Sequence, residues 1–239
     1  MNSWLELETY LLTHHYYAIN NGKAKNIVLF GNCHVAPLGY FVNKLFNEEY
    51  NIYIIISYFF EKNDLTNFNM IEINKKLQEL IYSSSIFIYQ LHIKDYGVNA
   101  STIQNLVNPS TTVFRIPNLR LLYNTKSKEE YNNSLHILKY NIHNSDFKEY
   151  MFLIEHINKY KFFNTNEHPT HFLLFLVAQS IVRKIVNDPI KINFQDYIDS
   201  HTRQYYTQFN KYIVLPGKEP ITQEIADITG IPINAEVFD

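Results

Sequence analysis

The chain has 239 residues, 46% of them hydrophobic and 18% charged, with a formal net charge of −2. That is enough apolar material to bury a sizeable core in one large domain, and it offers nucleic acid no broad electrostatic attraction. The single cysteine excludes an intrachain disulfide, and the opening MNSWLELETY has neither the basic nor the apolar region of a signal peptide. With no apolar run near the roughly 20 residues that span a bilayer, these features point to the cytoplasm.

Trp4, Leu5, Leu7, Leu11 and Leu12 predict an N-terminal amphipathic helix ending near Asn21-Gly22, with Gly22 as its C-cap. Ile27–Phe30 is a short apolar run of β-formers and predicts a buried strand, which Gly31 ends. From Val35 to Phe46 apolar residues recur at three and four, so a helix starts just after Asn32-Cys33-His34. Ile52–Ser57 is a second continuous β-rich run, of the kind buried on both faces in a parallel sheet. A loop over Tyr58–Asn69 and a helix over Met70–Tyr82 follow. A third strand spans Ser85–Gln90, a short helix Ala100–Val107, and a fourth strand Thr111–Ile116, closed by Pro117-Asn118. Strands alternating with helices predict parallel βαβ units.

The pattern changes after about Leu122. Helices are expected near Lys128–Tyr140 and Asp146–Tyr160, then over His168–Ile185 with Pro169 in its first turn. Shorter ones are expected around Phe194–Phe209 and Thr222–Thr229, with Pro216-Gly217 and Gly230 as breakers. The predicted fold class is α/β. It has a central, mostly parallel sheet of four or five strands in the N-terminal half, flanked by helices, and a mainly helical C-terminal half. No repeat, low-complexity segment or flexible linker divides it, so a single domain is expected. Residues 1–122 would carry the sheet and 123–239 the helices packed on it.

Chemistry-bearing residues fall at element ends. Cys33 follows the first predicted strand at a helix N-terminus, where backbone N–H groups and the helix dipole favour thiolates and bound anions. The competing reading of a lone cysteine is a small buried hydrophobe. Gln90 and His92 end the third strand, at the carboxyl edge where open α/β sheets bind ligands. The stretch Phe162–His171, FFNTNEHPTH, precedes the long C-terminal helix. His168 in it can serve a cysteine as base, with Asn164, Asn166 or Glu167 orienting the ring; the plainer reading is that His168 and His171 are capping or surface residues. Ten His are present, but His14-His15 and His168/His171 have no HExxH context and no partnering cysteine, so no metal site is expected. No GxxxxGK[ST] or GxGxxG occurs, so neither a nucleoside-triphosphate loop nor a dinucleotide fold is indicated.

The layout is similar to that of SGNH-type hydrolases, with Gly31-Asn32-Cys33 where those carry Gly-Asp-Ser and Gln90 near their Asn. A closer resemblance is to the WcbI family of polysaccharide-biosynthesis enzymes. Gly31-Asn32-Cys33-His34 with Pro37-Leu38 resembles that family's GNCQ-type opening, with His34 where Gln is usual. Tyr89-Gln90, Arg115-Ile116-Pro117-Asn118 and Phe163–Thr170 are similar to its later blocks, in the same order, over roughly residues 25 to 187. The resemblance implies coenzyme A binding and acetyl transfer from acetyl-coenzyme A to a sugar hydroxyl of a capsular or other surface polysaccharide, or of a sugar-nucleotide precursor, in company with a polysaccharide-assembly complex. On that basis Cys33 is the nucleophile or lines the thioester site, His168 is the general base, and Asn32, Gln90 and backbone N–H groups hold the oxyanion. Coenzyme A would be held by Gly31, Asn32, Cys33, His34, Arg115, Asn118 and His171, with Lys23, Lys25 and Arg120 as further cations for its phosphates. The alternatives are a thiol esterase or deacetylase of SGNH layout, and a non-catalytic subunit that binds coenzyme A or glycan.

Overall fold

The computed structural model describes residues 16–46, 48–57, 75–91, 104–166, 168–188 and 220–237. The predicted helix over Trp4–Leu12, the loop over 58–69, the start of the Met70 helix, most of the Ala100 helix, His14-His15, His92, Glu167 and the 194–209 helix lie outside them. The chain forms two compact units, Met1–Ile116 and Pro117–Asp239.

The first unit is built on a five-stranded sheet. Its strands are β1 (Tyr17–Ile19), β2 (Asn26–Gly31), β3 (Asn51–Ile56), β4 (Ile86–Gln90) and β5 (Thr112–Ile116), in the order β1-β3-β2-β4-β5. The last four are parallel, and β1 adds antiparallel to the edge of β3. Helix α1 (Val35–Leu45) connects β2 to β3, and α2 (Lys75–Tyr82) precedes β4. The continuous apolar runs are explained by burial on both faces. Val28, Phe30, Ile55, Phe87 and Tyr89 form one core with Leu77 and Ile81 of α2. The alternate residues of β3, Ile52 and Ile54, pack on the opposite face against Gly39 of α1, where a Cβ would come within 2.7 Å of Ile54. Side chains thus alternate between two helical layers.

One expectation fails here. The N-terminal helix does not reach Asn21-Gly22, because Tyr17, Ala18 and Ile19 pair with Ile54, Tyr53 and Ile52 instead. Aromatic and β-branched side chains suit a sheet edge better than a helix end. The following turn is pinned to the start of β3: Asn51 Oδ1 accepts from the N–H groups of Asn21 and Lys23. Gly22 holds φ +66 there, in the left-handed region that favours glycine.

The second unit is mainly helical. It contains α3 (Lys128–Asn144), a 3-10 turn (Lys148–Met151), α4 (Phe152–His156), α5 (His171–Ile185) and α6 (Gln223–Thr229). Two small pairings accompany them: β6 (Tyr160–Lys161) with β9 (Glu236–Val237), and β7 (Phe163–Thr165) with β8 (His168–Pro169). Ser127 caps α3 by accepting from Glu130 N–H, and Gly230 ends α6 with φ +74. The stretch expected as one helix over 146–160 is instead the 3-10 turn followed by α4. Pro169 is likewise not in the first turn of α5. It pairs with Phe163 in the β7–β8 hairpin, and Thr170, whose hydroxyl accepts from Leu173 N–H, is the N-cap. A proline lacks an N–H and fits the hairpin at that place.

Candidate active site

From β2 the chain crosses by α1 to β3 on one side; from β4 it continues to β5 on the other. The winding therefore reverses between β2 and β4, and their carboxyl ends mark the place where doubly wound sheets bind ligands. Gly31 is the last residue of β2 and Gln90 the last of β4. The turn Asn32-Cys33-His34 leads directly into α1. The sequence thus delivers its only cysteine to the switch point.

A small hydrogen-bond network fixes this turn. Asn32 N–H donates to Gln90 Oε1 at 2.8 Å, and His34 N–H to Asn32 Oδ1 at 2.9 Å, a local side-chain turn. Val35 N–H donates to Asn32 O and Ala36 N–H to Cys33 O. The N–H groups expected to be open to an anion are thus largely spent within the turn, and Pro37 has none. What remains is the dipole of α1, with no acidic residue in its first turn to oppose an anion. Because Asn32 N–H fixes Gln90 Oε1 as the acceptor, Gln90 Nε2 is the atom that faces His34 Nδ1, at 3.4 Å. An amide nitrogen only donates, so His34 Nδ1 must accept and the ring proton belongs on Nε2. Gln90 and His34 are each 1% exposed.

Gly31 makes this geometry possible. A Cβ there would lie 2.7 Å from Gln90 Oε1, 2.7 Å from Val35 Cγ1 and 2.8 Å from Gln90 Cβ. Cys33 is partly exposed, which is not the environment of an inert buried thiol. Arg115, in register with Tyr89 on β5, is exposed. Lys23 and Lys25 precede β2 and so lie at the opposite edge of the sheet, about 20 Å of strand away. They cannot serve ligand phosphates at this turn.

The second unit carries the remaining candidates. His168 Nδ1 lies 2.7 Å from Thr165 Oγ1, across the β7–β8 hairpin. That bond sets the plane of the ring and directs Nε2 away from Thr165. Thr165, rather than Asn164, Asn166 or Glu167, holds the imidazole here, and only the hairpin, invisible in the sequence, brings it there. Asn166 holds the backbone of Asn124 with both side-chain atoms. Asn164 is buried with its Oδ1 unbonded, and its carbonyl accepts from Tyr123 Oη at 2.9 Å. Asn118 is half-buried and its carbonyl accepts from Asn141 Nδ2. His171 is the first residue of α5. Among the described residues no cluster of three or more His, Cys, Asp or Glu is placed to hold a metal, and no helix is long and apolar enough to cross a membrane.

The first unit is, by these observations, a doubly wound α/β sheet with a braced cysteine turn at its switch point. No family model matches the chain, and no curated protein matches it. Among solved structures it is similar to WcbI, described as a novel polysaccharide biosynthesis enzyme, in a native form without a disulfide bond between coenzyme A and a cysteine. The similarity covers 72% of this chain and 71% of that one, with a TM-score of 0.47 and 14% sequence identity.

Proposed function

We propose that the protein is a coenzyme A-dependent acyltransferase, moving an acetyl group onto a sugar hydroxyl in the synthesis of a surface or capsular polysaccharide. The observation that supports this most is a partly exposed Cys33 on a turn braced by Gln90, at the carboxyl edge of a doubly wound sheet. The ordered motif resemblance supplies the ligand. In this reading the Cys33 thiolate attacks the thioester carbonyl, and coenzyme A leaves as its thiolate. The sugar hydroxyl, losing its proton to His168, then takes the acyl group from Cys33 and restores the thiolate.

Ligand binding is the first test. Coenzyme A at 100 times its Kd should add about 2.7 kcal/mol, or roughly 5–10 °C in melting temperature for a chain of this size. Cys33→Ala and His168→Ala should each abolish release of free coenzyme A from acetyl-coenzyme A with a glycan acceptor, and the double variant should be hardly worse than either. Release at the same rate without acceptor would identify a hydrolase. Full activity in both single variants would end the Cys–His assignment.

A further inference from the structure

Ser57 closes β3. Its N–H donates to Gly31 O at 2.8 Å, one step beyond the Gly31–Ile56 pair. It therefore flanks the cysteine turn from the β3 side as Gln90 flanks it from the β4 side. The side chain is 1% exposed, and its Oγ has no hydrogen-bond partner among the described residues. The other buried serines among the described residues are bonded: Ser84 Oγ to Ile81 O, Ser145 Oγ to Ile142 O, and Ser180 Oγ with Tyr150 Oη. Buried polar side chains are for the most part hydrogen-bonded, so an orphaned one at the carboxyl end of a strand calls for a reason.

We infer that Ser57 Oγ is a ligand-binding donor of the strand-end site, made for a neutral carbonyl oxygen in the pantetheine arm of the bound thioester. This rests on the coenzyme A reading above. Ile55 and Ile56 before it, and Phe30 before its partner Gly31, are fully buried. In such surroundings an anion would lose its hydration with little return, whereas an amide or thioester carbonyl needs a single donor. The pantetheine arm offers such carbonyls on a chain narrow enough to lie along the edge of a sheet.

The experiment measures apo stability and binding of coenzyme A and of pantetheine, by calorimetry, for the full-length wild type and Ser57→Ala. Losing a partnerless buried hydroxyl should leave the apo melting temperature unchanged or raise it by about 2–4 °C. The Kd should rise roughly 2- to 12-fold, by the same factor for both ligands, the range one net hydrogen bond spans. Ser57→Cys keeps the size with a weak donor, and should show the same loss if the alanine variant does not fold. Unchanged affinities in a variant whose wild type binds would overturn the inference and leave the coenzyme A reading standing. So would a loss confined to coenzyme A, which would place the hydroxyl on a phosphate. If the wild type binds neither ligand, the coenzyme A reading falls, and this inference with it.

Discussion

Replacing Gly31 with alanine tests the brace directly. The new Cβ would stand 2.7 Å from Gln90 Oε1 and Val35 Cγ1 and 2.8 Å from Gln90 Cβ, inside the closest approach that real methyl groups show. Val35 is fully buried and anchored in α1, so the Gln90 side chain is the part that must give way. Overpacking of this kind costs about 1–3 kcal/mol. Pulling Gln90 Oε1 off Asn32 N–H adds about 1–3 kcal/mol for a buried bond left unmade. A total near 3 kcal/mol corresponds to a fall of about 6–12 °C in melting temperature. Gly22→Ala is the control, since nothing lies within 4 Å of a Cβ there and only the positive φ opposes it, at about 1 kcal/mol. The assay is urea unfolding of wild type, Gly22→Ala, Gly31→Ala, Gln90→Ala and the Gly31→Ala/Gln90→Ala pair. In the double variant the bond and the contact with Gln90 Oε1 are already gone, while those with Val35 Cγ1 and the Cβ at 90 remain, so the two losses should fall short of additive by at least about 1 kcal/mol, the bond being lost only once. Strict additivity, or a Gly31→Ala cost no greater than that of Gly22→Ala, would refute the proposed contact.

Two further outcomes follow from the same coordinates. Iodoacetamide should modify the partly exposed Cys33 near neutral pH faster than it modifies free cysteine, because a helix N-terminus stabilises the thiolate; an ordinary or slower rate contradicts this. Burial pushes the Tyr131 hydroxyl, which has no partner, up to about 12 from 10.0. The folded state then holds its proton more tightly than the unfolded one, so this contribution to stability is intact below about pH 10 and is lost as pH rises through about 12, about 2–3 kcal/mol in all. Tyr131→Phe should remove that part of the alkaline loss in urea midpoints taken across the window, and an unchanged slope would count against it.

The parallel strands were legible because each is an apolar run buried on two faces, and α1 because its period of three and four follows a strand at once. Strand β1 was not, since three residues carry little pattern and their partner lies on β3, more than 30 positions on. The β7–β8 hairpin is hidden because strands of three and two residues carry almost no pattern, and with it the bond from Thr165 to His168 and the cap of α5 at Thr170. Of the strand-end site, sequence placed Gly31, Asn32, Cys33, His34 and Gln90 at element ends but could not assign their bonds. That Gln90 is spent in part on Asn32 N–H follows only from the glycine that lets it close in. Ser57 is, in sequence, simply the end of a β-rich run, and only its orphaned hydroxyl marks it out.

The bond between Asn32 and Gln90 joins residues 58 apart in the chain. The strands that carry them, β2 and β4, must be paired before the cysteine turn acquires this bond. A nascent chain that has not yet emerged past residue 90 carries Cys33 on an unbraced loop. The braced turn therefore forms only once β4 has joined β2, and any assay that senses it is equally a measure of how far the sheet has folded.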